Sequence, residues 1–135
     1  MSSMNEVLQQ SMNEIPECMA AGYVDMSTGM LLAVDTVESH PQEVLDMVAA
    51  ATSDLFQGKN VVTIEQMFKS HRGIEDDGSH YFQEILVFSD NLLHVFMRAK
   101  QNPDHALVYV CNESVNVGMA LTKARMQLGK VEDAL

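Results

Sequence analysis

Apolar positions change their period several times along this chain, and each change marks an element. Met4, Val7, Leu8, Ser11, Met12 and Ile15 recur at helical spacing, and all but Ser11 are apolar, so one stripe should bury. Ser3-Met4-Asn5-Glu6 fits a capping box at the start, and Pro16 biases Ile15 out of the helical region and ends the element. Met19 to Met26 and Met30 to Thr36 then read as a hairpin, with Ser27-Thr28-Gly29 as its turn and Gly29 available for positive φ. A long helix follows over Pro41–Gln57. Ser39 or His40 can cap it, and Pro41 suits its first position. Val44, Leu45, Val48, Ala49, Thr52, Leu55 and Phe56 form one face, which Met47, Ala50 and Ala51 widen; Gly58 offers a C-terminal cap. Asn60 to His71 fits both periods and is read as a short helix over Thr63–Ser70, followed by a solvated acidic loop at Glu75-Asp76-Asp77-Gly78.

The stretch from Tyr81 to Val117 carries period-two signals. Tyr81–Phe88, Leu92–Met97 and Ala106–Cys111 are apolar runs separated by Ser89-Asp90-Asn91 and by Lys100-Gln101-Asn102-Pro103-Asp104, the signature of an antiparallel meander. The third run shows no polar alternation and should be a central strand covered on both faces. Gln83, His94 and Arg98 place the first two nearer an edge or a wetter face. Asn116 can cap a last helix in which Val117, Leu121, Ala124 and Leu128 form the buried stripe, with Lys123, Arg125 and Lys130 towards its C-terminal part. The order helix, two strands, helix with a short appendage, three strands, helix predicts an α+β fold: a five-stranded antiparallel sheet with helices on both faces, in a single domain over residues 1–135.

Composition narrows the function. A net charge of −11 disfavours nucleic acid and anionic membrane as partners. No apolar run reaches the length of a membrane span and no basic-then-apolar leader opens the chain, so a cytoplasmic location is expected. Cys18 and Cys111 are too few for a disulfide framework; they open the first strand and close the last, so their sulfurs could lie close if those strands are antiparallel neighbours, but the preferred reading is two buried thiols in a reducing cell. Eleven Met and no Trp suit either an ordinary core or an adaptable contact surface.

The usual chemical signatures are missing. Gly58-Lys59 resembles the end of a phosphate-binding loop, but Ser53 stands where that loop needs its first Gly. His40, His71, His80, His94 and His105 have no zinc-site spacing, and neither Cys sits in a nucleophile signature. Asp25 and Asp35 near strand ends suit turn formation better than acid–base work. No catalytic residue, metal ligand or cofactor site is assigned.

The hairpin Ala21-Gly22-Tyr23-Val24-Asp25-Met26-Ser27-Thr28-Gly29-Met30-Leu31-Leu32-Ala33 is similar to the opening hairpin of roadblock/dynein light-chain domains. Ala106–Cys111 followed by Asn116-Val117-Gly118-Met119-Ala120-Leu121 resembles that family's last strand and helix start, and the element order also matches, over roughly Met4 to Leu128. The segment from Gly58 to His80 departs from the family by its length. The resemblance implies the profilin-like sheet order 2-1-5-4-3 and a non-enzymatic homodimer that pairs third strands, packs second helices and serves small Ras-like GTPases as regulator or scaffold. On that implied interface fall Tyr81, Phe82, Gln83, Glu84, Ile85, Leu86 and Val87 of the strand, and Met47, Ala50, Ala51 and Asp54 of the helix. Physics points the same way, because so apolar an edge strand is an aggregation hazard unless a copy or the Gly58–His80 segment covers it. The alternative is a profilin-like small-ligand sensory module, which would need an apolar cavity on the order of several hundred Å³; the abundance of Met, Leu and Val suggests a filled core instead.

Overall fold

A computed structural model describes residues 3–38, 42–75 and 78–135. The elements run α1 (Met4–Asn13), β1 (Cys18–Asp25), β2 (Met30–Thr36), α2 (Gln42–Gln57), α3 (Lys59–His71), β3 (Glu84–Phe88), β4 (Leu92–Arg98), β5 (His105–Asn112) and α4 (Val117–Asp133). The five strands form one antiparallel sheet in the order β2-β1-β5-β4-β3. The unalternating run became β5, the middle strand, as its pattern requires.

The two faces bury different cores. On one, α1 and α4 cover Ala21, Tyr23, Leu93, Val95, Leu107, Tyr109 and Cys111 with Leu8, Met12, Ala120, Ala124, Leu128 and Val131. On the other, Ala49 and Phe56 of α2 meet Val24, Met26, Phe96, Ala106 and Val108. Local chemistry sets the ends. Ser3 Oγ accepts from the Glu6 amide at 3.2 Å and Asn116 Oδ1 from the Met119 amide at 2.9 Å. Asp25 closes the hairpin turn: its carboxylate accepts from the amide and hydroxyl of Ser27 at 3.0 and 2.7 Å, and Gly29 takes φ 72°.

Several sequence expectations need correction. β3 begins at Glu84, so Tyr81, Phe82 and Gln83 precede the strand. The short helix expected over Thr63–Ser70 runs from Lys59 to His71, because buried Glu65 and Lys69 tie its inner face to the chain ahead of β3. Gly58 is its N-cap, not a left-handed C-cap of α2: φ is −62°, and its amide still donates to Asp54 O at 3.0 Å. A Cβ there would lie 2.6 Å from Asp54 O, so the tight α2–α3 corner demands glycine. Ser39, His40 and Pro41, the expected start of α2, lie outside the described residues, as do Asp76 and Asp77.

β4 is an interior strand, and Arg98 at its end is buried rather than wet. Its guanidinium donates to four neutral oxygens: Phe82 O at 2.9 Å, Pro103 O at 2.8 Å, Phe56 O at 3.0 Å and Gln57 Oε1 at 3.2 Å. It also lies 5.1 Å from the Phe56 ring. Burial pulls its pKa down while the fields of Glu65 and Asp104 push back, and the group stays charged. A cation at the C-terminal end of α2 satisfies carbonyls that the helix itself cannot. One side chain thus joins α2, the β4–β5 turn and the entry to β3. Arg98→Met should cost about 3 kcal/mol by stranding these acceptors. Arg98→Lys should cost about 1–2 kcal/mol, since one ammonium cannot span all four. Denaturant midpoints at constant m-value would check both.

Candidate self-association surface

β3 pairs with β4 alone, so its other edge is open among the described residues. Val87 and Phe88 are 37 % and 62 % exposed. The neighbouring helix adds to this apolar surface. α2 buries Ala49, Thr52 and Phe56, but leaves Met47 68 % exposed and Val44, Val48 and Leu55 exposed beside it. The wide apolar face read in the sequence is therefore two stripes, one seated on the sheet and one facing outward. An open groove between α2, α3 and the sheet brings Ala51 and Asp54 together with Val87, alongside Leu55, Val61 and Phe96.

The expected interface residues thus do not behave alike. Met47, Ala51, Asp54 and Val87 lie on this open surface, while Ile85 and Leu86 are half-buried on the edge strand and Ala50 is half-buried on α2. Glu84 is already engaged across the other face, where Arg125 of α4 grips it with two hydrogen bonds of 2.8 and 2.7 Å. That pairing holds the Glu84 carboxyl below its usual range against the opposing effect of burial.

Tyr81, Phe82 and Gln83 act as internal fasteners. Phe82 O accepts from Arg98 Nε, Gln83 O accepts from the Arg98 amide at 2.7 Å, and Phe82 packs on the α2-side core. The Tyr81 ring lies 5.9 Å from that of Phe68 and 6.0 Å from Lys69 Nζ, and its hydroxyl is buried with no hydrogen-bond partner among the described residues. Glu65 organises this joint: its carboxylate accepts from the Tyr81 amide at 2.6 Å and contacts His80 Nδ1 at 2.9 Å. Lys69 Nζ donates to Ser79 O at 2.5 Å. Sequence reasoning missed Glu65, Lys69 and Arg98. The i, i+4 spacing of Glu65 and Lys69 was available, but charged residues on a helix normally face water. The segment from Gly58 to His80 is fastened under α2 and ahead of β3, and among the described residues no strand pairs with the outer edge of β3.

A cavity of about 340 Å³ lies between the N-terminal half of α2 and the sheet, lined by Ala20, Gly22, Val34, Leu45, Val48, Val108 and Val110 among others. The filled core suggested by composition does not hold on this face, because Ala20 and Gly22 leave space that Leu45 does not reach. His94 stands between this cavity and the groove. Burial lowers its pKa, and its Nε2 lies 3.1 Å from Ser89 Oγ.

The architecture has known counterparts. A roadblock/LC7 domain from Streptomyces avermitilis superposes with a TM-score of 0.67 at 14 % identity, over 98 % of this chain and 97 % of that one. The gliding protein MglB from Thermus thermophilus gives 0.67 at 19 % identity, over 98 % and 90 %. Profilin II from Acanthamoeba castellanii gives 0.61 at 12 % identity, over 98 % and 100 %. This chain has the roadblock/LC7 fold. At these identities the likeness extends to the fold alone. No protein-family profile matches the sequence, and no curated protein matches it. Within the roadblock architecture, the open strand is the one at the β4 end of the sheet and the outward stripe belongs to the second helix.

Glu65 gives a pH-dependent test of the joint. Burial opposes its ionisation, but the hydrogen bonds from His80 and the Tyr81 amide outweigh it, so its folded pKa lies below the ordinary 4.5. The unfolded chain therefore takes up the proton first. The stabilisation is complete above about pH 4.5 and drains away as pH falls through the lower folded value. Glu65→Gln should cost about 1–2 kcal/mol at pH 7, and the gap from wild type should shrink towards pH 3 in urea titrations.

Proposed function

We propose that this protein is a non-enzymatic homodimeric scaffold or regulator of a small Ras-like GTPase, acting as a single domain in the cytoplasm. The observation that carries the reading is the continuity of an unpaired strand edge with an outward apolar stripe. β3 offers backbone donors and acceptors, and Met47, Ala51, Leu55 and Val87 offer apolar area beside them. A two-fold copy presenting the same strand would satisfy both at once and extend the sheet across two protomers. Such a doubled sheet is a broad platform for a protein partner. MglB, a neighbour of the same fold, has been solved in a tetrameric arrangement, which supports self-association. The shifted carboxylates suit a scaffold: Asp25 closes a turn, Glu65 fastens a joint and Glu84 bridges to α4.

Sedimentation velocity should give particles of twice the chain mass at micromolar concentration. The double variant Val87→Asp with Leu55→Asp should give single chains with an unchanged circular dichroism spectrum. Affinity capture with wild type, but not with that variant, should recover a small GTPase. A wild type that remains a single chain at high concentration contradicts the proposal.

The cavity under α2 supports a second reading, a sensory module for a small apolar ligand. A solvatochromic apolar dye should then bind saturably, and Ala20→Leu should abolish that binding in a protein of unchanged fold. Absence of saturable binding to wild type leaves the scaffold reading alone.

A further inference from the structure

The two cysteines are direct cross-strand partners on the central strands β1 and β5, and both are free thiols. Their register site has a particular geometry. The Asn112 amide donates to Glu17 O at 3.1 Å, so the bond flanks the pair on its outer side. Cys18 and Cys111 therefore occupy a non-hydrogen-bonded position, where Cα atoms approach to about 4.5 Å and side chains come closest. That spacing falls within the range a disulfide spans, about 4.4–6.8 Å.

A second observation is independent of spacing. β1 carries a bulge between Cys18 and Ala20, opposite Cys111 and Val110. Beyond it, Ala21 and Tyr23 face the α1/α4 core, whereas Ala20, Gly22 and Val24 face α2. Strict alternation would put Cys18 with Ala20, on the face opposite Cys111. The extra residue re-aims Cys18 so that it packs on the same core as Cys111. Glu17, just before it, takes φ 55°, an uncommon conformation for a residue with a side chain. Its carboxylate is held by Ser114 Oγ at 2.9 Å. Irregular backbone thus places one sulfur against the other.

We propose that Cys18 and Cys111 are a redox modification site that closes to an intramolecular disulfide on exposure to a peroxide. Cys18 is half-buried and Cys111 fully buried, so oxidant arrives at Cys18. The Cys18 sulfur attacks the peroxide O–O bond, forms a sulfenic acid and releases one water. The Cys111 sulfur then attacks Cys18, the S–S bond forms, and the displaced hydroxide leaves as water with the Cys111 proton. Two thiols lose two hydrogens and two electrons, and one hydrogen peroxide becomes two waters. The neighbouring Cys111 and burial push the Cys18 thiol up, while the hydrogen bond from Cys18 draws Cys111 down. Because the two cysteines are cross-strand partners, the second step is intramolecular and outpaces the first. The product staples the entry of β1 to the exit of β5, the junctions from which α1 and α4 depart.

The test treats the full-length protein with hydrogen peroxide and follows intact mass, thiol titration in denaturant and melting. Wild type should lose two hydrogens and both titratable thiols, yield a Cys18–Cys111 linked peptide, and gain roughly 5–10 °C in Tm, all reversed by dithiothreitol. Cys111→Ser should stop at a Cys18 sulfenic acid that dimedone traps, whereas wild type should give no dimedone adduct. Disulfides between chains, over-oxidation of Cys18 beside an intact Cys111 thiol, or two thiols surviving excess peroxide would each overturn the proposal.

Discussion

A buried guanidinium with no carboxylate among its first contacts in the described residues is the constraint on which the α2 side of this molecule depends. Desolvating Arg98 is costly, and the cost is offset only if each donor finds an oxygen. Those oxygens come from the C-terminal turn of α2, the β4–β5 turn and the residue that leads into β3. No two of these segments are close in sequence. Satisfying the cation therefore ties the end of α2 to the start of the edge strand, while Gly58, Glu65 and Lys69 place α3 beside them.

The two faces of the sheet divide the labour. The α1/α4 face is closed by large apolar side chains and carries the buried Tyr109–Ser11 hydrogen bond at 2.7 Å and the paired cysteines. The α2 face buries a smaller cluster around Phe56 and Phe96 and leaves both a cavity and an outward stripe. The proposed partner surface thus lies on the opposite face of the sheet from the α1/α4 core. Met47 and Met67 are strongly exposed on α2 and α3, where a flexible apolar side chain adapts to what it meets.

Periodicity made most of the fold legible in the sequence. The hairpin, the meander, the central position of β5 and the amphipathic terminal helix all follow from runs whose period matches their environment. It failed where charge was buried. Arg98 read as a polar interruption of a strand, and that moved β4 towards an edge. Asn60–His71 fitted both the helical and the strand period, and that shortened α3, whose inner face is tied down by Glu65 and Lys69. Pattern rules assume that charge seeks water, and none of them reports the acceptors that a distant segment will supply. The strand was drawn three residues too long for a related reason: Tyr81 and Phe82 favour strands, but tertiary bonds to Glu65 and Arg98 claim that stretch first.

The central claim is that Arg98 and its acceptors hold β3 as a preformed edge that a second copy completes. Amide hydrogen exchange of residues 84–88, followed as a function of protein concentration, tests it most directly. The account predicts that the β3 amides not bonded to β4 exchange fast in dilute protein and become protected as concentration rises. Loss of that protection in Arg98→Met is expected to accompany it. Fast exchange at every concentration, or protection already complete in dilute monomer, would contradict the account.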